Sequence, residues 1–427
     1  MCVPTTLRLE VELGNNHQTD WEIHCDIADK MSKLAKNVYI VAAKRTPFGT
    51  FCGKLSGLSA TELGGIASVA AIKTLPEATK IDSVIYGNVV QSSKDAAYLA
   101  RHVGHRAGLP VHVPALTLNR LCGSGFQTVI SAAQEIITGD AQVVLAGGTE
   151  SMTQAPFVLR NVRQGLKYGP DLALEDVLAH SLIDEYPKPT PMAITGENLA
   201  KKYGITRQQA DEYALMSQQR WAAANEAGRF KAELTTVEIK GKKGVEAFTT
   251  DEHPRPKSTI EGLTKLSPVF LKDGTVTAGN ASGMGDGAAS LIVASEDAVK
   301  LYSLAPLARI VSWNYVGCEP TIMGVGPVPA IKEALRIAGL TLKDISLVEV
   351  NEAFAVQYLA VEKELGLDRA ITNTNGGSIA LAHPLGASGA RITGHLVHEL
   401  QRTKGKYAVG AACIGGGQGI AIVMERS

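Results

Sequence analysis

One order of elements occurs twice in this chain, and that repetition restricts the fold more than any other feature. The segment "IDSVIYGNVVQ" (81–91) resembles "DISLVEVNEAFA" (344–355), and each follows a helical stretch. Further on, "CGSGFQTVISAAQEI" (122–136) resembles "GASGARITGHLVHEL" (386–400). A strand-like segment comes next in both halves, "AQVVLAGG" (141–148) and "KYAVGAACIGGG" (406–417). Alternating strands and helices can look alike by chance, but three pairs in the same order point to a duplicated α/β unit with two similar sheets packed together.

Between the halves' matched segments lies an insertion, about 153–277, richer in charge, Pro and Gln. Within it, "TRQQADEYALMSQQRWAAANEAG" predicts a helix capped by Thr206 and stopped by Gly228. "EHPRPKST" holds too much proline for a central strand or a helix. The insertion reads as a loop domain over one face, a common place for ligand contacts. Elsewhere, Ser59 and Glu62 form a capping-box pattern with a structural role only.

Several function classes drop out. The 427 residues carry 42 basic and 42 acidic side chains and no dense basic stripe, so nucleic acid is not an expected partner. No apolar run nears the roughly 20 residues that span a bilayer. The six cysteines, Cys2, Cys25, Cys52, Cys122, Cys318 and Cys413, lie far apart without a C-x-x-C pair. That spacing suggests neither a zinc site nor a small disulfide scaffold, and it fits a reducing compartment. The first 36 residues read as a separate extension. They lack a signal-peptide core and carry acids such as Glu10, Glu12 and Asp20, unlike a transit peptide. Met31, just before the strand-like "NVYIVAAKRTPFG", is a possible alternative start.

Four glycine-framed segments hold the reactive side chains. In "LNRLCGSGFQ", Cys122 precedes an amphipathic run in which Phe126, Val129, Ile130, Ala133, Ile136 and Ile137 recur at helical spacing. A helix N-terminus there would favour a thiolate. From this segment alone a small buried core thiol is the slightly favoured reading. Asn351 and Glu352 end an apolar strand, His383 precedes a Pro turn in "LAHPLGASGAR", and Cys413 opens "CIGGGQG". Each could be an ordinary turn or loop residue. Together they put two cysteines, a histidine and an asparagine at matching ends of the duplicated units, where α/β sheets bind ligands. A Cys–His pair supplies a nucleophile, a second thiol can move a proton, and glycine-loop N–H groups can hold an oxyanion. These parts suit acyl transfer through a thioester.

The motifs "LCGSGFQ", "GGTESMTQAP", "NEAFA", "HPLGASGAR" and "CIGGGQG", in this order, resemble the thiolase family from about Val38 to the C-terminus. Within that family, "VAAKRTPFG", "AYLARHVG", "DGTVTAGNASG" and "IMGVGPVPAI" are most similar to the mitochondrial branch acting on 3-ketoacyl-CoA. The resemblance implies two βαβαβαββ halves in a five-layered αβαβα structure, with halves at 37–302 and 303–427 after the extension at 1–36. It implies Cys122 as acyl acceptor, His383 as its base and as a donor to an oxyanion, and Cys413 as the acid/base at the substrate α-carbon. Asn351 would hold a water in one oxyanion hole. The N–H groups of Cys122 and Gly415 would form the other. Arg255, Ser258 and Ser282 would contact coenzyme A, a co-substrate and not a resident cofactor, and no metal is implied. A homodimer or homotetramer in the mitochondrial matrix is also implied. One departure stands out: the family usually has Gly before the histidine, and here Ala382 stands there. The rival readings are an acetoacetyl-CoA thiolase confined to short chains, with selection near Met192, and a non-catalytic thiolase-like binding protein.

Overall fold

The computed structural model describes residues 36–169, 171–241 and 244–427. All but the last residue of the expected 1–36 extension, and with it the alternative start at Met31, lie outside the described residues.

The first half contributes β1 (Val38–Arg45), β2 (Ser83–Gly87), β3 (Ala115–Leu118), β4 (Val143–Ser151) and β5 (Gly285–Ser295). They lie in the order β3-β2-β4-β5-β1. The pairs β3/β2 and β2/β4 are parallel, whereas β5 runs antiparallel to both its neighbours. The second half repeats this plan with β6 (Ala308–Gly317), β7 (Leu347–Val350), β8 (Tyr407–Ile414) and β9 (Gln418–Arg426), in the order β7-β8-β9-β6. Where β3 would lie, a single parallel bridge joins Val348 to Thr372. The duplicated unit read from sequence is thus present in strand order and direction. A feature the repeat did not reveal is the seam. Tyr39 and Ile40 of β1 pair with Arg309 and Ala308 of β6, so the two half-sheets form one continuous sheet of these nine strands, with a short tenth, Gly49–Thr50, paired to β5.

Helices α1 (Ala60–Ile72) and α2 (Leu99–Arg106) belong to the first half, followed by α3 (Ser124–Thr138). The insertion supplies α4 (Met192–Tyr203) and α5 (Arg207–Glu226), and the second half adds α6 (Pro327–Ala338), α7 (Ala355–Leu365) and α8 (Leu385–Thr403). Strand alternation sorts these helices into layers. Val143 and Leu145 face outward with Leu99 and Val103, while Val144 and Ala146 face inward with Phe126 and Ile130. Val409 and Ala411 likewise face the outer layer of α6 and α7, while Ala408, Ala412 and Ile414 face α3 and α8. Both faces of each half-sheet are covered, which explains why the strands read as nearly continuous apolar runs. The layers are α1/α2, first half-sheet, α3/α8, second half-sheet and α6/α7.

The repeated G-S-G and S-G pairs have a packing reason. A Cβ on Gly125 would stand 2.3 Å from the Ala390 nitrogen, and one on Gly389 would stand 2.3 Å from the Phe126 nitrogen. The first turns of α3 and α8 therefore cross backbone to backbone, which brings the loops ahead of them together.

The insertion springs from the first half, where Val237 and Phe248 pack with Leu63 and Ala288, but its helices α4 and α5 pack on the second. Leu199 and Tyr213 join Val356 and Tyr358 in one cluster, with the two tyrosine rings stacked 4.2 Å apart. Its helix α5 has the expected capping box, Thr206 with Gln209, and Gly228 turns the chain at φ +69° just beyond its end. Ser59 and Glu62 also form their capping box at α1. A buried charge network fastens the insertion to the core. Arg45 on β1 binds Glu233 (2.7 Å) and Asp251 (2.7 Å), and Glu233 also binds Nδ1 of His395 on α8 (2.7 Å).

Candidate active site

Cys122 lies two residues ahead of α3, as its spacing predicts, and packs with Val90, Met152, Leu178 and Leu385. The N–H of Gly415 and its own N–H reach the Cys122 sulfur. Here the sequence-based expectation of a lowered thiol pKa is corrected. Burial pushes Cys122 up to about 11, the two N–H groups offset only part of this, and the buried Glu150 carboxyl adds to the rise. Desolvation in an apolar pocket outweighs the helix terminus.

Cys413 is fully buried near the end of β8, among Met323, Ala353, Met192 and Phe354. Burial raises its thiol well above the ordinary range, and the neighbouring thiols of Cys122 and Cys318 raise it further. A Cβ on Gly415 would meet the Met192 sulfur at 3.4 Å, so Met192 borders both Cys413 and the Gly415 turn.

His383 and Asn351 come together from separate segments. Asn351 Nδ2 stands 3.4 Å from His383 Nε2, and both residues are buried. His383 Nδ1 lies 2.6 Å from Ser388 Oγ on α8, and the Ser378 hydroxyl donates to Asn351 Oδ1 (2.6 Å). Burial, followed by the Arg391 guanidinium, lowers the imidazole to about 3, so it rests neutral. The His383 imidazole and the Cys122 thiol both rest neutral. Ser388 and Ser378 were not singled out from the sequence. The signal was present, since Ser388 matches Ser124 in the repeat.

The His383 loop is held on two sides. Its backbone N–H donates to the Gly283 carbonyl (2.8 Å), next to Ser282, whose own N–H donates to Ala353 (2.9 Å). Ser282 therefore belongs to the same locus. Behind Cys122, the fully buried Glu150 accepts from the N–H groups of Val89 (3.1 Å), Val90 (3.0 Å) and Gly386 (2.8 Å) and from the Asn88 amide (3.0 Å). Burial lifts its carboxyl to about 7, with those donors acting against the rise. Glu150 clamps the loop after β2 to the start of α8 and was another residue the sequence did not expose. Glu352, next to Asn351, accepts from Tyr213 (2.7 Å), Ser217 (2.7 Å) and the Ile379 N–H (3.2 Å), tying the strand end to α5.

Arg255 and Ser258 do not touch this cluster. They line a groove of about 700 Å³ with Gln218, His253, Leu263 and Ile379, which also reaches Gly279 near the Ser282 turn. The Arg255 guanidinium donates to the His253 carbonyl (2.8 Å). Another groove of about 690 Å³, lined by Glu62, Lys73, Arg106 and Glu238, lies on the outer helix layer and contains none of these residues. Ala382 adopts φ +77° and ψ 172°, backbone that favours glycine, yet the His383 N–H bond to Gly283 is made.

Comparison with known proteins places this geometry. Residues 38–297 match the model of the thiolase N-terminal domain, and 304–426 match that of the thiolase C-terminal domain. The chain is 61% identical over 395 residues to a mitochondrial 3-ketoacyl-CoA thiolase of Homo sapiens, covering 92% of this chain and 99% of that one. The crystal structure of human mitochondrial 3-ketoacyl-CoA thiolase superposes with a TM-score of 0.91 at 60% identity, covering 92% of this chain and 100% of that one. A crystal structure of the human enzyme in complex with CoA gives 0.90 at 59% identity, covering 93% and 99%. With both halves matched and nearly the whole chain covered, the chain belongs to the thiolase family of acyltransferases.

Proposed function

We propose that this chain is a 3-ketoacyl-CoA thiolase that uses Cys122 as nucleophile, His383 as its base and Cys413 as the proton donor and acceptor at carbon. The observation carrying this reading is the proximity of two thiols, Cys122 and Cys413, one from each half, in a structure that also buries a neutral imidazole bonded to Asn351. In thiolysis, His383 Nε2 takes the Cys122 proton as the sulfur attacks the 3-keto carbon. The oxyanion is held with the help of the Asn351 side, and loss of one such donor typically costs about 3–4 kcal/mol. The C2–C3 bond then breaks, and Cys413 protonates the departing acetyl-CoA enolate. The acyl group stays on Cys122, its carbonyl oxygen toward the N–H groups of Cys122 and Gly415, until the thiol of free CoA removes it. Each proton passes between Cys122, His383, Cys413 and the two CoA species, so the scheme balances without a metal or an oxidant.

Coenzyme A would enter along the groove lined by Arg255 and Ser258 and reach Ser282. The relative crystallised with CoA supports coenzyme A as the ligand. The apolar residues about Cys122, Val90, Met152, Leu178 and Leu385, suit an alkyl chain longer than acetyl, which favours the 3-ketoacyl over the acetoacetyl reading. A mitochondrial location follows the names of the relatives. Assembly of two or four copies is favoured by β3, an edge strand with Leu116 half exposed, and by the exposed Phe157, Leu166, Tyr168 and Leu174. Thiolysis of acetoacetyl-CoA measured beside that of longer 3-ketoacyl-CoA tests the function. Turnover confined to acetoacetyl-CoA would select the short-chain enzyme, and none with either would remove the catalytic reading.

A further inference from the structure

The two repeated helices carry a matching serine in their first turn, Ser124 and Ser388, and its hydrogen bonds show how the duplicated unit was adapted. In α3, the Ser124 hydroxyl donates to the Leu121 carbonyl (2.7 Å) and accepts from the Arg120 N–H (2.9 Å). In α8, the equivalent Ser388 hydroxyl donates to the Pro384 carbonyl (3.0 Å) and lies 2.6 Å from His383 Nδ1. A hydroxyl has one proton. In both halves that proton points back to the preceding turn, and the oxygen accepts from an incoming N–H. In the first half the incoming group is backbone. In the second it is the imidazole.

The far end of the chain of bonds removes the remaining ambiguity. Ser378 Oγ is fully buried, and among the described residues its one side-chain partner is Asn351 Oδ1. If all the protons ran the other way, Asn351 Nδ2 would face Ser378, and the Ser378 O–H would be a buried donor with no acceptor. Buried donors are rarely left so, because the cost is about 1–3 kcal/mol. The favoured direction pairs every group. Ser378 donates to Asn351 Oδ1, Asn351 Nδ2 donates to His383 Nε2, and His383 Nδ1–H donates to Ser388, which donates to Pro384.

We propose that Ser388 and Ser378 are positioning residues that fix proton direction at the site, Ser388 holding His383 as its Nδ1–H form and Ser378 holding the Asn351 amide with Nδ2 toward it. The Nε2 lone pair then points into the site, where the weak 3.4 Å bond from Asn351 is readily exchanged for a reacting proton. This rests on the reading of His383 as the base. Removing Ser388 Oγ leaves the Nδ1–H without an acceptor and makes the opposite form, with a blocked Nε2, competitive.

The test reads the imidazole directly, by ¹⁵N NMR of histidine-labelled full-length protein, with the His383 signal assigned from the His383→Gln variant. The parent is expected as the Nδ1–H form. Ser388→Ala should shift His383 toward Nε2–H and lower kcat by about 10²-fold, within the range of a general base, with KM little changed. Ser388→Thr, which keeps the hydroxyl, should restore the form and most of kcat. An Nε2–H form in the parent, or no change of form in Ser388→Ala, overturns the proposal. The NMR result does not need turnover. A parent that is Nδ1–H but shows no thiolysis would uphold the positioning role and reject the functional reading instead.

Discussion

Ala382 and Gly285 meet face to face beneath the histidine loop: a Cβ placed on Gly285 would stand 2.8 Å from the Ala382 methyl. The same alanine holds φ +77° and ψ 172°, a region that is nearly confined to glycine. The chain therefore carries strain next to His383, and a glycine opposite makes room for the extra methyl.

Ala382→Gly should relieve that strain. Backbone in this region costs an alanine about 1–3 kcal/mol, and the greater freedom of glycine in the unfolded chain returns about 0.5–1 kcal/mol of that. A net gain of about 1–2 kcal/mol is expected in urea unfolding, with thiolysis changed only severalfold. A rate gain of several orders of magnitude would mean that the natural loop is impaired, and would favour the binding-protein reading.

The two cysteines should fail differently. Cys122→Ala should lose both thiolysis and acyl exchange. Cys413→Ala should still take an acetyl group from acetyl-CoA onto Cys122, while carbon–carbon cleavage falls by about 10²–10⁴-fold. Mass spectrometry of each variant after incubation with acetyl-CoA, beside a thiolysis assay, separates the roles. Label on Cys413 in Cys122→Ala, with turnover kept, would reverse them.

Alkylation of Cys122 by iodoacetamide should climb steadily with pH. The thiol is pushed to about 11, so the reactive thiolate is a minor form throughout the neutral range. Its fraction, and the rate, should rise about tenfold per pH unit between 7 and 9. Because burial keeps His383 neutral down to about 3, no step is expected near the usual histidine value. A plateau already reached by pH 8 would reveal a stabilised thiolate and contradict the neutral pair.

Arg45→Met should loosen the insertion. The guanidinium is buried between Glu233 and Asp251, and removing one partner of a buried pair costs about 3–5 kcal/mol. His395 gives the same network a pH dependence. Burial opposes its protonation, but Glu233 overcomes this and raises it above the ordinary value. Its contribution is therefore complete below about 6.5 and fades as pH rises through the higher folded value. Urea unfolding of parent and Arg45→Met at pH 6 and pH 9 measures both effects. Equal stability of the two proteins would show that the network is dispensable.

The sequence alone was enough to read the doubled strand–helix order, because apolar periodicity and repeated glycines are local properties. It also brought forward Cys122, Asn351, His383 and Cys413, since each stands in a glycine-framed turn at a strand or helix end. The seam between Tyr39–Ile40 and Ala308–Arg309 was not legible, because backbone pairing across 270 residues of chain leaves no local pattern. Nor was the docking of an insertion from the first half onto Tyr358 of the second. The state of the site was decided in three dimensions as well. A helix terminus ahead of Cys122 argues for a thiolate, yet burial by side chains from four separate segments wins and keeps the proton on sulfur. The direction of the protons through Ser378, Asn351, His383 and Ser388 depends on which acceptors remain once each buried donor is paired, and that balance exists only in the folded chain.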